Sequence, residues 1–144
     1  MAVQRPYLLL LSPPCTVFSV LRNLSSHKRD PNIVRDEIRQ GRAHLLFSVM
    51  LATLQHRQGR GFLFEHPLSA TSWKSPELER LACLPGVIKL QVDMCAYGLR
   101  VPNTKSNDGN LGELSMKPTG LLTNLQDLAL RSLSVVTKLT SMAS

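Results

Sequence analysis

Residues 7–15 read Tyr-Leu-Leu-Leu-Leu-Ser-Pro-Pro-Cys. Four consecutive leucines stopped at once by Ser12-Pro13-Pro14 read as a short strand buried on both faces, the kind found inside parallel sheets. The run is too short for a membrane span, and too short for a signal-peptide core although Arg5 precedes it. The same pattern recurs at Phe62-Leu-Phe64, closed by Glu65-His66-Pro67, which reads as a second buried strand. Val87 to Val92 alternates apolar residues with Lys89 and Gln91, a third strand with one less buried face or a place near an edge.

Helix signals lie between these strands. Asp30-Pro31 supplies an N-cap and a proline at the first helical position, and the helical pattern runs to about His56 before Gly59 and Gly61. Its first half carries Arg35, Arg39 and Arg42 at i, i+4 and i+7, one basic stripe. From Leu45 to Leu54 apolar residues occur nearly all round, which implies burial, and Gly41 between the halves is a weak point. Ser75-Pro76-Glu77 opens a second helix that ends near Leu84. Pro102 to Met116 reads as a mobile surface loop. Thr123-Asn-Leu-Gln126 matches a capping box, and Leu125, Leu128, Ala129, Leu133 and Val136 continue at helical spacing.

Strand, helix, strand, helix, strand, loop, helix is the order of βαβ units in an α/β fold, with a mainly parallel sheet and flanking helices. Chemistry in such sheets gathers at the carboxyl ends of the strands. Pro13-Pro14-Cys15 and Glu65-His66-Pro67 stand at two such ends, and become neighbours if the first two strands are adjacent.

The chain has 144 residues, 43% of them hydrophobic, enough for one domain with a core. The net charge is +7, and residues 22–60 hold eight Arg or Lys against three acids, so this segment carries most of it. Phosphate contact is the natural use of such a surface, and a solvated helix face is the alternative. Cys15, Cys83 and Cys95 are scattered, and the four histidines show no metal-binding spacing. Neither a disulfide framework nor a metal site is expected, and the expected address is intracellular, nuclear or cytoplasmic.

Ser12-Pro13-Pro14-Cys15-Thr16-Val17-Phe18-Ser19 resembles the nucleophile motif of the C5-cytosine DNA methyltransferases, with Pro14, Cys15, Phe18 and Ser19 matching. Glu65-His66-Pro67 stands where the family has Glu-Asn-Val; only Glu65 matches. Ala96-Tyr97-Gly98-Leu99 is similar to the family's Tyr-Gly-Val stretch. The order Ser-Pro-Pro-Cys, basic helix, Glu-His-Pro, Thr71-Ser72-Trp73, Tyr97-Gly98 and Lys117-Pro118-Thr119 also resembles methyltransferase-like segments of retroelement-type polyproteins. This likeness covers roughly residues 7–124 and implies a partial Rossmann-like sheet in a domain of residues 1–124; helical spacing adds a C-terminal amphipathic helix and tail over 125–144.

It further implies that Cys15 attacks cytosine C6 and Glu65 assists at N3, with Pro14, Ser19 and His66 beside the base; the charge and spacing of Arg35, Arg39 and Arg42 place these three on the phosphates. The base must first leave the duplex. A cysteine nucleophile reacts as the thiolate, for which Arg22 or a helix N-terminus is the expected help. The Gly-rich turn and acidic residue that hold S-adenosylmethionine in this class are absent, as is a large target-recognition region. No cofactor is therefore expected in this chain; S-adenosylmethionine enters only if a missing half is supplied.

Each feature also has a plainer reading. Cys15 is then a partly buried turn residue, Glu65 a salt-bridge or capping group, His66 a hydrogen-bonded turn residue and Trp73 a packing residue. Two functions follow: a methyltransferase-like domain that is not active alone, or a non-catalytic module binding nucleic acid or a partner. No membrane contact is expected. An uncovered sheet edge is expected to pair with another chain or with a second copy.

Overall fold

The computed structural model describes residues 5–19, 29–101 and 113–131. Within them the chain is α/β. Strand β1 (Leu8–Leu11) leads through a 3-10 turn (Thr16–Phe18) to helix α1 (Pro31–Arg57) and strand β2 (Gly61–Pro67). A second 3-10 turn (Thr71–Lys74) precedes helix α2 (Pro76–Ala82) and strand β3 (Ile88–Asp93). A third 3-10 turn (Met94–Tyr97) and strand β4 (Pro118–Thr123) follow, and residues 126–131 begin a helix, α3.

The four strands form one sheet in the order β1-β2-β4-β3. β1 and β2 are parallel, whereas β4 runs antiparallel to both β2 and β3. The sheet is therefore mixed rather than mainly parallel. The correction comes from β4, which occupies a stretch read only as the approach to a capped helix. Thr123 ends β4 instead of capping α3: its hydroxyl donates to the Phe62 carbonyl at 2.7 Å and accepts from the Leu125 N–H at 3.1 Å.

The helix starts follow their signals. Asp30 accepts from the Asn32 N–H at 2.8 Å with Pro31 beside it, and Ser75 accepts from the Leu78 N–H at 3.4 Å ahead of Pro76. Gly41 is no weak point. It is buried inside a continuous helix, and a Cβ there would meet Val17 Cγ2 at 2.2 Å. The glycine lets the turn after β1 pack directly on the helix backbone.

The sheet has two cores. On one face Leu11, Phe62, Phe64 and Leu122 pack against Leu45 and Ala52 of α1 and Leu78 and Leu81 of α2. On the other, Leu90, Val92 and Leu121 pack with Ala129 of α3 and with the partly buried Leu63 and Ile88. Leu133 and Val136, expected to extend α3, lie outside the described residues, as do Arg22, Lys28 and residues 102–112 of the expected loop.

Two expected burials are corrected. β1 is an edge strand, with Leu8 and Leu10 exposed; identical leucines cannot reveal which side lacks a neighbour. The second half of α1 is buried only towards the sheet and α2, leaving Leu46, Phe47, Met50 and Leu54 exposed. β3 forms the other edge, as Lys89 and Gln91 suggested.

Candidate functional site at the carboxyl ends of β1 and β2

Adjacency of β1 and β2 brings the two strand-end motifs together. Leu11 is in register with Phe64, so Ser12 comes beside Glu65. The Ser12 hydroxyl donates to Glu65 Oε2 at 2.6 Å. One residue further on, the Pro13 carbonyl contacts His66 Nε2 at 3.1 Å. Pro13 and Pro14 have no N–H to extend the ladder, so the strand stops here while its carbonyl groups stay usable.

Successive strand residues face opposite sides, and this separates Glu65 from His66. Glu65 lies half-buried on the α3 face. His66 is on the α1 face, 1% exposed and among aromatic rings: Phe18 at 5.7 Å, Phe64 at 5.6 Å and Trp73 at 6.4 Å between centroids. Its Nδ1 meets Ser72 Oγ at 2.6 Å. Because a carbonyl can only accept, Nε2 carries the proton and donates to Pro13, and neutral Nδ1 accepts from the Ser72 hydroxyl. Burial holds the His66 pKa below its ordinary value of 6.5, opposed by the Pro13 hydrogen bond and the nearby Glu65 carboxylate. With both nitrogens committed, His66 pins the turn after β1 to the Thr71–Lys74 turn.

The loop segments form a shelf above these strand ends. Pro14 is exposed, and Cys15 and Ser19 are half-buried. Cys15 precedes the 3-10 turn, its carbonyl accepts from the Phe18 N–H at 2.9 Å, and its thiol is unbridged. Thr71 donates to the Phe18 carbonyl at 3.2 Å, a second tie between the two loops. Trp73 is anchored by Nε1–H to the Pro67 carbonyl at 2.8 Å, and Lys89 Nζ lies 4.6 Å from its ring centroid. The ring lies on Gly120, where a Cβ would come within 2.5 Å of Trp73 Cζ2. Trp73 is thus chiefly a packing residue that leaves one part open.

The basic stripe lies beside the shelf. Arg35, Arg39 and Arg42 are all exposed on the first half of α1. Arg35 Nη2 is 3.4 Å from Asn32 Oδ1, Arg39 pairs with Asp36 at 3.3 Å, and Arg42 pairs with Glu77 at 3.4 Å. The Arg39–Asp36 pair is exposed on both sides and exchanges readily for another anion, whereas Arg42 is exposed over a largely buried Glu77. A groove lined by Phe18, Arg42, Thr71 and Lys74 joins the stripe to the shelf.

Sequence reasoning singled out Cys15, Glu65 and His66 but not the residues that fix them. Ser12 departs from the family motif, and Ser72 belongs to the Thr-Ser-Trp tripeptide. The signal available for both was a hydroxyl next to a strand-end motif. The glycines sit elsewhere: Gly59 precedes β2 and Gly61 opens it, at the end of the strand opposite the shelf. Pro13 is buried with its carbonyl engaged, so the turn after β1 offers no glycine cradle for a nucleotide cofactor. Among the described residues no cluster of His, Cys, Asp or Glu has the geometry for a metal ion, and no helix is long and apolar enough to cross a membrane. Compared with known families, curated proteins and solved structures, the chain has no match in any of the three.

Proposed function

We propose that this chain is a nucleic-acid-binding α/β domain related to the nucleotide-facing half of the C5-cytosine methyltransferases, and that it does not transfer a methyl group by itself. The carrying observation is the union of the two strand-end motifs: Ser12 to Glu65 and Pro13 to His66, pairs 53 residues apart in sequence, meet across adjacent parallel strands. A crevice outside the carboxyl ends of such strands is the usual ligand position in α/β sheets. In the Rossmann-like reading the strand-end shelf faces a nucleobase, Cys15 and Glu65 are what remains of the reactive pair, and Pro14 and Ser19 border the base. The residues present do not fit S-adenosylmethionine, so no transfer step is derived.

Binding is carried by Arg35, Arg39 and Arg42 on the phosphates, with Lys74 continuing the charge past Phe18. Three neutralised phosphates give a salt slope of roughly −3 for a duplex. The test is fluorescence anisotropy of labelled single-stranded and duplex oligonucleotides over a salt series. The Arg35→Gln, Arg39→Gln, Arg42→Gln variant is expected to lose at least tenfold in affinity and to flatten the slope by roughly 2 to 3. Unchanged affinity and slope in that variant would overturn the reading.

A further inference from the structure

The two edges of the sheet are built differently. β3 presents Lys89 and Gln91 at its edge, and Lys89 folds over Trp73. Charged side chains of this kind keep an edge from pairing. β1 carries Tyr7 and four leucines with no charge and no proline inside the strand, and among the described residues nothing pairs with its outer side.

Apolar surface flanks that bare edge on both faces. Leu8 and Leu10 are exposed on the α3 face. On the α1 face, Phe47, Met50 and Leu54 are exposed and recur at i, i+3 and i+7, one stripe of the helix. Leu45, Ser48, Ala52 and Gln55 of α1 are buried towards the sheet, and Val49, Thr53 and Arg57 line the groove with α2. At 100° per residue the stripe is turned away from both, on the outer side of α1, with Phe47 and Leu54 on the half nearer β1 and Met50 pointing straight out.

We infer that β1 is the dimerisation edge of this chain, pairing antiparallel with β1 of a second copy about a two-fold axis normal to the sheet. The occupant is a second copy because this operation is self-complementary. It keeps α1 and its symmetry mate on one face, and strand spacing then sets their axes roughly 10–14 Å apart, a gap that Phe47 and Leu54 border from both sides. It also sets Leu8 and Leu10 against their mates on the other face. Tyr7 with Leu8, Leu10, Phe47 and Leu54 exposes on the order of 600 Å² per copy, enough for a pair at the low end of the specific-interface range. The two-fold closes the assembly at two, since the charged β3 edges face outward.

The test is sedimentation velocity over a concentration series of the full chain, with Leu10→Lys, Phe47→Lys and the control Met116→Lys. Circular dichroism of each variant checks the fold. Leu10 and Phe47 are 67% and 57% exposed, so neither lysine is expected to disturb it. The expected result is a reversible species of twice the 16.0 kDa chain mass. Its dissociation constant rises at least tenfold in Leu10→Lys and in Phe47→Lys and is unchanged in Met116→Lys. A wild-type chain that stays monomeric throughout would overturn the inference. So would a dimer that persists in the folded Leu10→Lys, Phe47→Lys double variant, or a ladder of larger species in place of the dimer.

Discussion

Glu65 and His66 are consecutive residues at the end of one strand, and the sheet sends them to opposite environments. His66 is enclosed by three aromatic rings with both nitrogens hydrogen-bonded, whereas Glu65 is half-buried and, among the described residues, accepts one hydrogen bond, from the Ser12 hydroxyl. A polar group enclosed in this way has been spent on structure, because moving it would strand the Pro13 carbonyl and the Ser72 hydroxyl without partners. Among the described residues Glu65 retains unused acceptor capacity. The difference between a strut and a reactive group is thus set by the strand's two-residue period rather than by residue type.

This contrast can be broken from its stronger side first. His66→Ala removes a buried ring and two hydrogen bonds, and is expected to cost about 3 kcal/mol in urea unfolding. A loss below about 1 kcal/mol would mean the ring is not the tie between the loops.

Acid probes the same residue without mutation. Well above pH 6.5 His66 is neutral in both native and unfolded chains and costs nothing. As pH falls below 6.5 the unfolded chain takes up a proton that the native chain resists, so stability drops until the lower native value is passed. The wild type should therefore lose more stability than His66→Gln between neutral pH and about pH 5. Parallel losses would place the acid sensitivity elsewhere.

The smallest effects belong to the open side. Glu65→Gln and Ser12→Ala should each change stability by less than about 1 kcal/mol, and a double-mutant cycle should return a coupling of a few tenths. Cys15→Ser should alter neither stability nor oligonucleotide affinity measurably. A cost for Glu65→Gln as large as that for His66→Ala would erase the distinction between the two neighbours.

What the sequence revealed followed the range of the interactions concerned. Asp30-Pro31 and Ser75-Pro76 are local signals, and both helices begin where they say. The meeting of the two strand-end motifs needed only β1 and β2 to be adjacent, the simplest outcome of a βαβ unit. β4 escaped because Pro118-Thr-Gly-Leu-Leu-Thr123 combines a proline, a glycine and a persuasive helix-start pattern, while its ladder partners are distant. Gly120 is a glycine for Trp73's sake, a contact between residues far apart in the chain. The exposure of Leu8 and Leu10 depends on what stands beside β1, which four leucines cannot encode. Ser12 and Ser72 were legible as members of motifs but not as partners, because choosing a partner requires register.

The central claim, that the shelf above β1 and β2 meets nucleic acid, can be read from the chain's own thiols. Cys15 lies on the shelf, while exposed Cys83 caps the far end of α2. Alkylation rates of both, resolved by peptide mass spectrometry with and without a single-stranded oligonucleotide, compare the two places in one sample. The account predicts that the oligonucleotide slows labelling of Cys15 at least fivefold and leaves Cys83 unchanged, with the protection vanishing at high salt. Equal labelling of Cys15 with and without an oligonucleotide shown to be bound would contradict it.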